Sequence, residues 1–431
     1  MQEVDIYSPK YCQDWQEKSL YDLAIWKNGL AFKDINFSNK GKPVIKIAEL
    51  KNGITAQTKF TKDIFEDAVH ITKGDMVFSW SGNPQTSIDV FYYDLEDGWL
   101  NQHIFKITTK KEVLKNYFFY TLKYLKPNFK MIAANKQTTG LGHVTINDLK
   151  KIKIKLPPLA EQKRIASILS SFDDKIELNN KTNKILEEMA QTIFEEWFIN
   201  FNFPNANGKP YKKSGGEMIN SELGGIPKGW KIDIISNLFN VTIGKTPPRK
   251  EIECFSKNYK DIKWVSISDM GNSGLFIVDT SEYLTPEAIK KYNVNVVPKN
   301  TVILSFKLTI GRVSITSEDM TTNEAIAHFN SDNNFINEYL YFYLKNFNYR
   351  VLGNTSSIAE AINSKIIKSI KIIIPKDDIL NKYHNIVFDM FKKIRNNQIE
   401  NQKLSGIRDS LLPKLMAGEI RIDKNFETIN F

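Results

Sequence analysis

The hydrophobic positions of this chain follow one pattern twice. From Leu169 onward, apolar or asparagine residues fall at alternating steps of three and four: Leu169, Phe172, Ile176, Asn179, Asn183, Leu186, Ala190, Ile193 and Trp197. A second series, displaced by 218 residues, reads Val387, Met390, Ile394, Asn397, Asn401, Leu404, Arg408, Leu411 and Leu415. Three-four spacing sustained over about four heptads predicts a coiled-coil seam. Arg408 alone breaks the apolar-or-asparagine rule. An asparagine in such a seam costs stability and selects register and orientation. If the two helices pack antiparallel about their midpoints, Asn179 meets Asn401 and Asn183 meets Asn397. A one-heptad slip would then bury unmatched amides. The alternative is two separate amphipathic helices, each on its own domain, with the asparagines at a wet edge.

The residues ahead of each helix carry a different pattern. Val44-Ile45-Lys46-Ile47 and Met76-Val77-Phe78-Ser79-Trp80 are brief apolar runs bounded by turn residues, which predicts strands. Residues 117–125 read as a helix that stops before Pro127. Residues 151–156 alternate polar and apolar, as a half-buried strand does, and Pro157-Pro158 opens the long helix. The second half repeats the order. Trp15, Leu20, Leu23 and Gly29 recur as Trp230, Ile235, Leu238 and Gly244, a shift of 215. Ile152, Lys153, Ile154, Leu156 and Pro157 return as Ile370, Lys371, Ile372, Ile374 and Pro375, a shift of 218. A repeat this long is a duplicated domain, not a solenoid unit.

The expected fold class is therefore α/β (α+β): two tandem similar domains joined by two long helices in an antiparallel coiled coil. The expected boundaries are 1–157 and 230–375 for the domains, and 158–198 and 376–418 for the helices. Residues 199–229, rich in Gly, Pro and Asn, are expected to be a linker with little core of its own, and 419–431 a tail. Gly418 suits the left-handed position after a helix end. Two similar modules on one chain suggest a partner that offers two similar sites.

Composition narrows the partner. A chain of 431 residues, 42% hydrophobic, can build two or three cores. No run of eighteen apolar residues, no signal-like N-terminus and only two distant cysteines, Cys12 and Cys254, lead to the expectation of a cytoplasmic protein without membrane attachment. The net charge of +10 favours polyanions. Its cations are spread along the chain, so any nucleic-acid surface must be built by folding.

Enzyme motifs are missing. Gly244-Lys245-Thr246 resembles the end of a phosphate-binding loop, but Phe239 stands where the first glycine belongs. There is no Gly-x-Gly-x-x-Gly fingerprint and no carboxylate and lysine cluster of a nuclease. The five histidines are scattered. No catalytic residue, cofactor or metal is expected.

Several segments together resemble a family. Leu156-Pro157-Pro158-Leu159-Ala160-Glu161-Gln162-Lys163-Arg164-Ile165-Ala166 resembles the opening of the first conserved helix in specificity subunits of type I restriction-modification systems. The likeness continues through Glu195-Glu196-Trp197-Phe198, Asn207-Gly208-Lys209-Pro210-Tyr211, Ser221-Glu222-Leu223-Gly224 and Ile226-Pro227-Lys228-Gly229-Trp230. It returns at Leu411-Leu412-Pro413-Lys414-Leu415-Met416 and Gly418-Glu419-Ile420. The second helix departs from the pattern, opening on Pro375-Lys376-Asp377-Asp378-Ile379-Leu380, although its heptad register is kept. The resemblance implies that each domain is a target-recognition domain reading one half of a split, asymmetric site on double-stranded DNA. It also implies that the coiled coil spaces the domains and docks DNA methyltransferase (modification) subunits, two in number. Those subunits would supply S-adenosylmethionine chemistry, and restriction subunits the translocase and nuclease. A helix of about forty residues is roughly 60 Å long, enough to hold two modules on one face of DNA.

For DNA contacts, loop Lys, Arg, Asn, Gln, Ser and Thr residues have the right chemistry. In the first half the candidates are Trp80, Asn83, Lys136, Gln137, Thr138 and Thr139. In the second half they are Lys245, Arg249, Lys307, Arg312 and Ser357. The competing reading, from another class, is a coiled-coil scaffolding module without sequence-specific DNA binding. A pull-down of DNA fragments separates the two.

Overall fold

Short strands bounded by turn residues build two larger sheets, besides two-stranded pairs, in each half of the described chain. In the first half, Ala24–Asn28, Ile104–Thr109, Met76–Ser79 and Asp89–Tyr92 lie side by side, antiparallel throughout. A second sheet orders Phe37–Ser38, Phe60–Thr61, Lys42–Ile45, Gly98–Leu100 and His70–Ile71, with one parallel pair, Gly98–Leu100 beside Lys42–Ile45. Helix Lys115–Tyr124 lays its buried face on the first sheet. There the Trp26 ring meets Phe78, Phe105 and Phe118 edge-on at 6.2, 6.0 and 5.9 Å. Burying each such side chain is worth about 1.5–3 kcal/mol. The chain does break ahead of Pro127, then resumes as helix Lys126–Asn135, where proline in the first turn is tolerated.

The computed structural model describes residues 14–32, 37–137, 140–333, 335–352 and 362–422. It divides into two compact units, residues 1–175 with 405–431, and residues 176–404. The second unit repeats the plan of the first. Its larger sheet orders Asn240–Ile243, Ile326–Asn330, Val302–Ser305, Val313–Thr316 and Phe276–Ile277. Its other sheet orders Phe255–Ser256, Glu282–Leu284, Ile262–Val265 and Thr321–Thr322. The duplicated Ile-Lys-Ile segments have equivalent partners. Lys153–Leu156 pairs antiparallel with Gln16–Ser19, and Lys371–Ile374 pairs antiparallel with Lys231–Ile234.

The first long helix runs over Leu159–Phe194 and closes in a wider turn at Glu195–Ile199; residues 159–175 belong to the first unit and 176–194 to the second. Its opening is held by two side chains of the Glu161-Gln162 pair. Gln162, fully buried, accepts from Leu114 N–H at 2.8 Å and donates to the Glu112 and Pro157 carbonyls at 3.0 and 2.9 Å. Glu161 accepts from the Trp15 indole at 3.1 Å and pairs with Arg421 at 2.7 Å. The second long helix runs over Asp377–Met416, and Gly418 follows it at φ 70°.

Residues 199–229, expected to be a linker with little core of its own, contribute several buried side chains. They form a hairpin, Met218–Ser221 with Gly224–Pro227, and bury Phe201, Phe203 and Ile226. The Phe203 ring stacks on Trp230 at 5.1 Å. A few well-spaced aromatics suffice to anchor a segment whose composition is otherwise that of a loop.

Candidate nucleic-acid interface

Three loops meet at one end of the first unit's antiparallel sheet, tied together by backbone bonds. Gly29 N–H donates to the Ile104 carbonyl at 3.0 Å, Leu30 N–H to Leu100 at 2.9 Å, and Gln102 N–H back to Leu30 at 2.9 Å. The chains lie so close that a Cβ on Gly29 would overlap the carbonyls of Leu100 and Asn101. Trp80 N–H donates to the His103 carbonyl at 3.2 Å. The Trp80 ring stacks on Phe105 at 5.4 Å, and its indole N–H donates to Asn28 Oδ1 at 3.0 Å. A fourth loop joins them, because Ser81–Gly82 pairs with Gly142–His143.

The second unit repeats three of these backbone bonds. Gly244 N–H donates to Ile326 at 3.1 Å, Lys245 N–H to Thr322 at 2.9 Å, and Phe306 N–H to Ala325 at 2.9 Å. A Cβ on Gly244 would overlap Asn323 and Thr322. Asn101 and Asn323 play one role: each side-chain oxygen accepts the N–H two residues on, from His103 at 3.3 Å and Ala325 at 3.1 Å. The backbone platform is thus duplicated while the side chains on it differ. Leu30, Trp80, Gln102 and His103 stand where the second unit has Lys245, Phe306, Glu324 and Ala325. Gln102, His103 and Glu324 escape the sequence-based choice of candidates. The signal was present in the repeat, since Asn101-x-x-Ile104 returns as Asn323-x-x-Ile326.

The predicted contact residues stand in different settings. Gln137, Lys245 and Lys307 are exposed, and neither lysine ammonium is in an ion pair among the described residues. Trp80 is half-buried and presents part of its ring at the loop cluster. Asn83 is exposed, but its Oδ1 accepts from Gln85 N–H at 2.9 Å and so shapes its own turn. The other cations act within the fold. Lys136 bonds both oxygens of Asp148 at 2.6 Å. Burial disfavours the ionised Asp148, yet bonds from Lys136 and Thr145 outweigh it and hold the carboxyl below its ordinary value. Arg249 is clamped by Glu282 at 3.0 and 2.9 Å and lies over the rings of Phe255 and Trp264 at 4.2 and 4.6 Å. Arg312 donates to the Ile267 carbonyl at 2.6 Å and braces its loop. Thr138, Thr139 and Ser357 lie outside the described residues.

Along the long helices, every position of the predicted seam is buried or half-buried. Within the second unit, Asn179 Nδ2 donates to Asn401 Oδ1 and to Glu400 Oε2, both at 2.8 Å. Asn397 Nδ2 donates to Asn183 Oδ1 at 2.8 Å. Within the first unit, the irregular Arg408 forms an ion pair with Asp173, whose other oxygen accepts from Tyr120 O–H at 2.6 Å. The arginine is a third polar layer. The second unit also leaves apolar side chains bare off the seam: Leu178, Ile185 and Met189 on its first helix and Ile199 in the wider turn that follows are 47–58% exposed.

Comparison with known proteins places these features. Residues 12–188 and 227–408 match the type I restriction modification DNA specificity domain. The type I restriction enzyme MjaIX specificity subunit of Methanocaldococcus jannaschii is 32% identical over 336 residues, covering 75% of this chain and 73% of that one. The HindI specificity subunit of Haemophilus influenzae is 27% identical, over 68% of this chain and 74% of its own. The crystal structure of the type I restriction-modification S subunit from M. genitalium shares the fold at a TM-score of 0.55, with 17% identity, 95% of this chain and 97% of that one covered. Two matched domains, two long helices and relatives of one kind together establish that this chain belongs to the family of type I restriction-modification specificity subunits.

Proposed function

We propose that the chain is the non-catalytic DNA-recognition subunit of a type I restriction-modification complex, each domain reading one half of a bipartite, asymmetric site. The observation that carries this is the duplicated loop platform with unlike side chains. Equal scaffolds present equal surfaces to DNA, and unlike residues on them select unlike bases. Lys245 and Lys307 are suited to phosphates, which position without specifying. Gln102, His103 and the ring of Trp80 offer donors, acceptors and a flat face to base edges. On this reading residues 1–157 and 230–375 are the recognition domains. The helices 158–198 and 376–418 set the length of the unread gap, with 199–229 as the connector and 419–431 as the tail.

The bare row Leu178, Ile185 and Met189 supports docking of a helix from a modification subunit, because exposed apolar rows at heptad-like spacing seek a third helix. Two such subunits would carry the methylation of DNA, and restriction subunits would join them for cleavage. No described helix is long and apolar enough to cross a membrane, and the work proposed here is done in the cytoplasm.

The test is to express the chain with its modification subunits and map methylation across the host genome. A split motif with a fixed unread gap is expected, and exchanging residues 1–157 for those of another family member should alter one half-site only. A contiguous motif, or both half-sites changing together, refutes one domain per half-site. Purified alone, the chain should transfer no methyl group from S-adenosylmethionine.

A further inference from the structure

At the loop cluster of the second unit, a large aliphatic side chain stands exposed on a strained backbone. Leu308 is 84% exposed and has φ 61°, a left-handed conformation that its Cβ disfavours. The turn around it is closed by Thr309 N–H donating to the Lys307 carbonyl at 2.7 Å. Bonds from below hold it there. The fully buried Ser305 donates its hydroxyl to the Thr309 carbonyl at 2.6 Å and accepts from Arg312 N–H at 3.1 Å. Gly311 N–H donates to the Ser305 carbonyl at 3.0 Å, and the Arg312 side chain is itself tied to Ile267. Strain of this kind persists only where the surroundings over-determine it, and it gathers at functional positions. Here the effect of the strain is to hold a leucine out in water, next to Lys307, whose ammonium lies over the Phe306 ring at 5.6 Å and is in no ion pair among the described residues.

Resting on the recognition role proposed above, we propose that Leu308 reads the 5-methyl group of a thymine in the major groove of the second half-site. The thymine methyl is the one apolar group that a base pair displays there, so an aliphatic tip on a rigid turn has one partner of matching chemistry. The corresponding loop of the first unit is built differently. After its own buried serine, Ser79, it exposes Asn83, Gln85 and Thr86, all polar. The first half-site is thus read at this place through hydrogen bonds and the second through a methyl contact.

The experiment uses the chain assembled with its modification subunits and fluorescent duplexes carrying the mapped target. Thymines of each half-site are replaced one at a time by uracil, which pairs identically and lacks the methyl. One substitution in the second half-site should weaken binding by the parent complex about fivefold or more. Leu308→Gly, which relaxes the left-handed backbone, should bind thymine and uracil duplexes equally at the weaker level, with a thermal midpoint no lower than the parent's. Leu308→Ala should behave likewise on DNA. If no uracil in the second half-site affects the parent, or if Leu308→Gly keeps the preference for thymine, the inference is overturned. It is also overturned if Leu308→Gly fails to assemble with the modification subunits, which would put the leucine in a protein interface. A parent complex with no split target would instead remove the recognition reading beneath it.

Discussion

Replacing Asn397 with leucine tests whether the asparagine layers hold the helix pair in register. Asn397 is 1% exposed and donates to the half-buried Asn183 at 2.8 Å. Asn397→Leu deletes that donor and leaves the Asn183 oxygen facing an apolar side chain, which costs about 1–3 kcal/mol. Asn183→Leu strands the amide of Asn397 in the same way. The double variant leaves neither amide unmatched and gains an aliphatic contact, so it should be near neutral or more stable than the parent. The two single costs therefore should not add, and the coupling between them should be about 1–3 kcal/mol. Because the chain has two units, one global unfolding curve would mix their transitions. Hydrogen exchange at amides of residues 176–190 reads the local opening free energy instead. Additivity to within about 0.5 kcal/mol would refute a direct interaction between the two amides. If Asn179 and Asn401 are also made leucine, stability should rise further while register loosens, visible as heterogeneous gap lengths in the methylation map.

Three further outcomes are expected. Inserting four residues in each helix near these layers lengthens the pair by about 6 Å, close to two base pairs of rise, so the unread gap should grow by one or two base pairs with both half-sites unchanged. An unchanged gap in an active variant would exclude the helices as the ruler. Burial pushes the His328 imidazole down to about 4 while Thr242 and Thr322 bond its two nitrogens. The unfolded chain takes up this proton near pH 6.5 and the folded one does not until near pH 4, so stability falls as pH drops through that window, by about 2 kcal/mol at pH 5. His328→Gln should lose this part of the pH dependence in the local opening free energies that hydrogen exchange reads around residues 302–330, and identical slopes would contradict it. Gly244→Ala forces a methyl into Asn323, costing about 1–3 kcal/mol, and should blur the second half-site while sparing the first. Methylation mapping that shows both intact would mean the platform does not position the readers.

The periodic and duplicated features were legible in the sequence by itself. Three-four spacing is a local property of the chain, so the seam from Leu169 to Trp197 could be read without knowing its partner. The repeat of Asn179 and Asn183 as Asn397 and Asn401 carried the orientation as well. The strands were legible only as apolar runs. Pieces two to six residues long pair according to tertiary context, so no local signal ordered the sheets or brought Gly29, Trp80 and Asn101 together. In the linker, composition counts residues without weighing where Phe201 and Phe203 are buried. Cations show the limit most clearly. Lys136 and Lys307 look alike in sequence, yet one is neutralised by Asp148 and the other stands free of any described ion pair. Charge is written in the sequence, but whether it is available to a partner depends on a neighbour twelve or a hundred residues away, and only folding decides that.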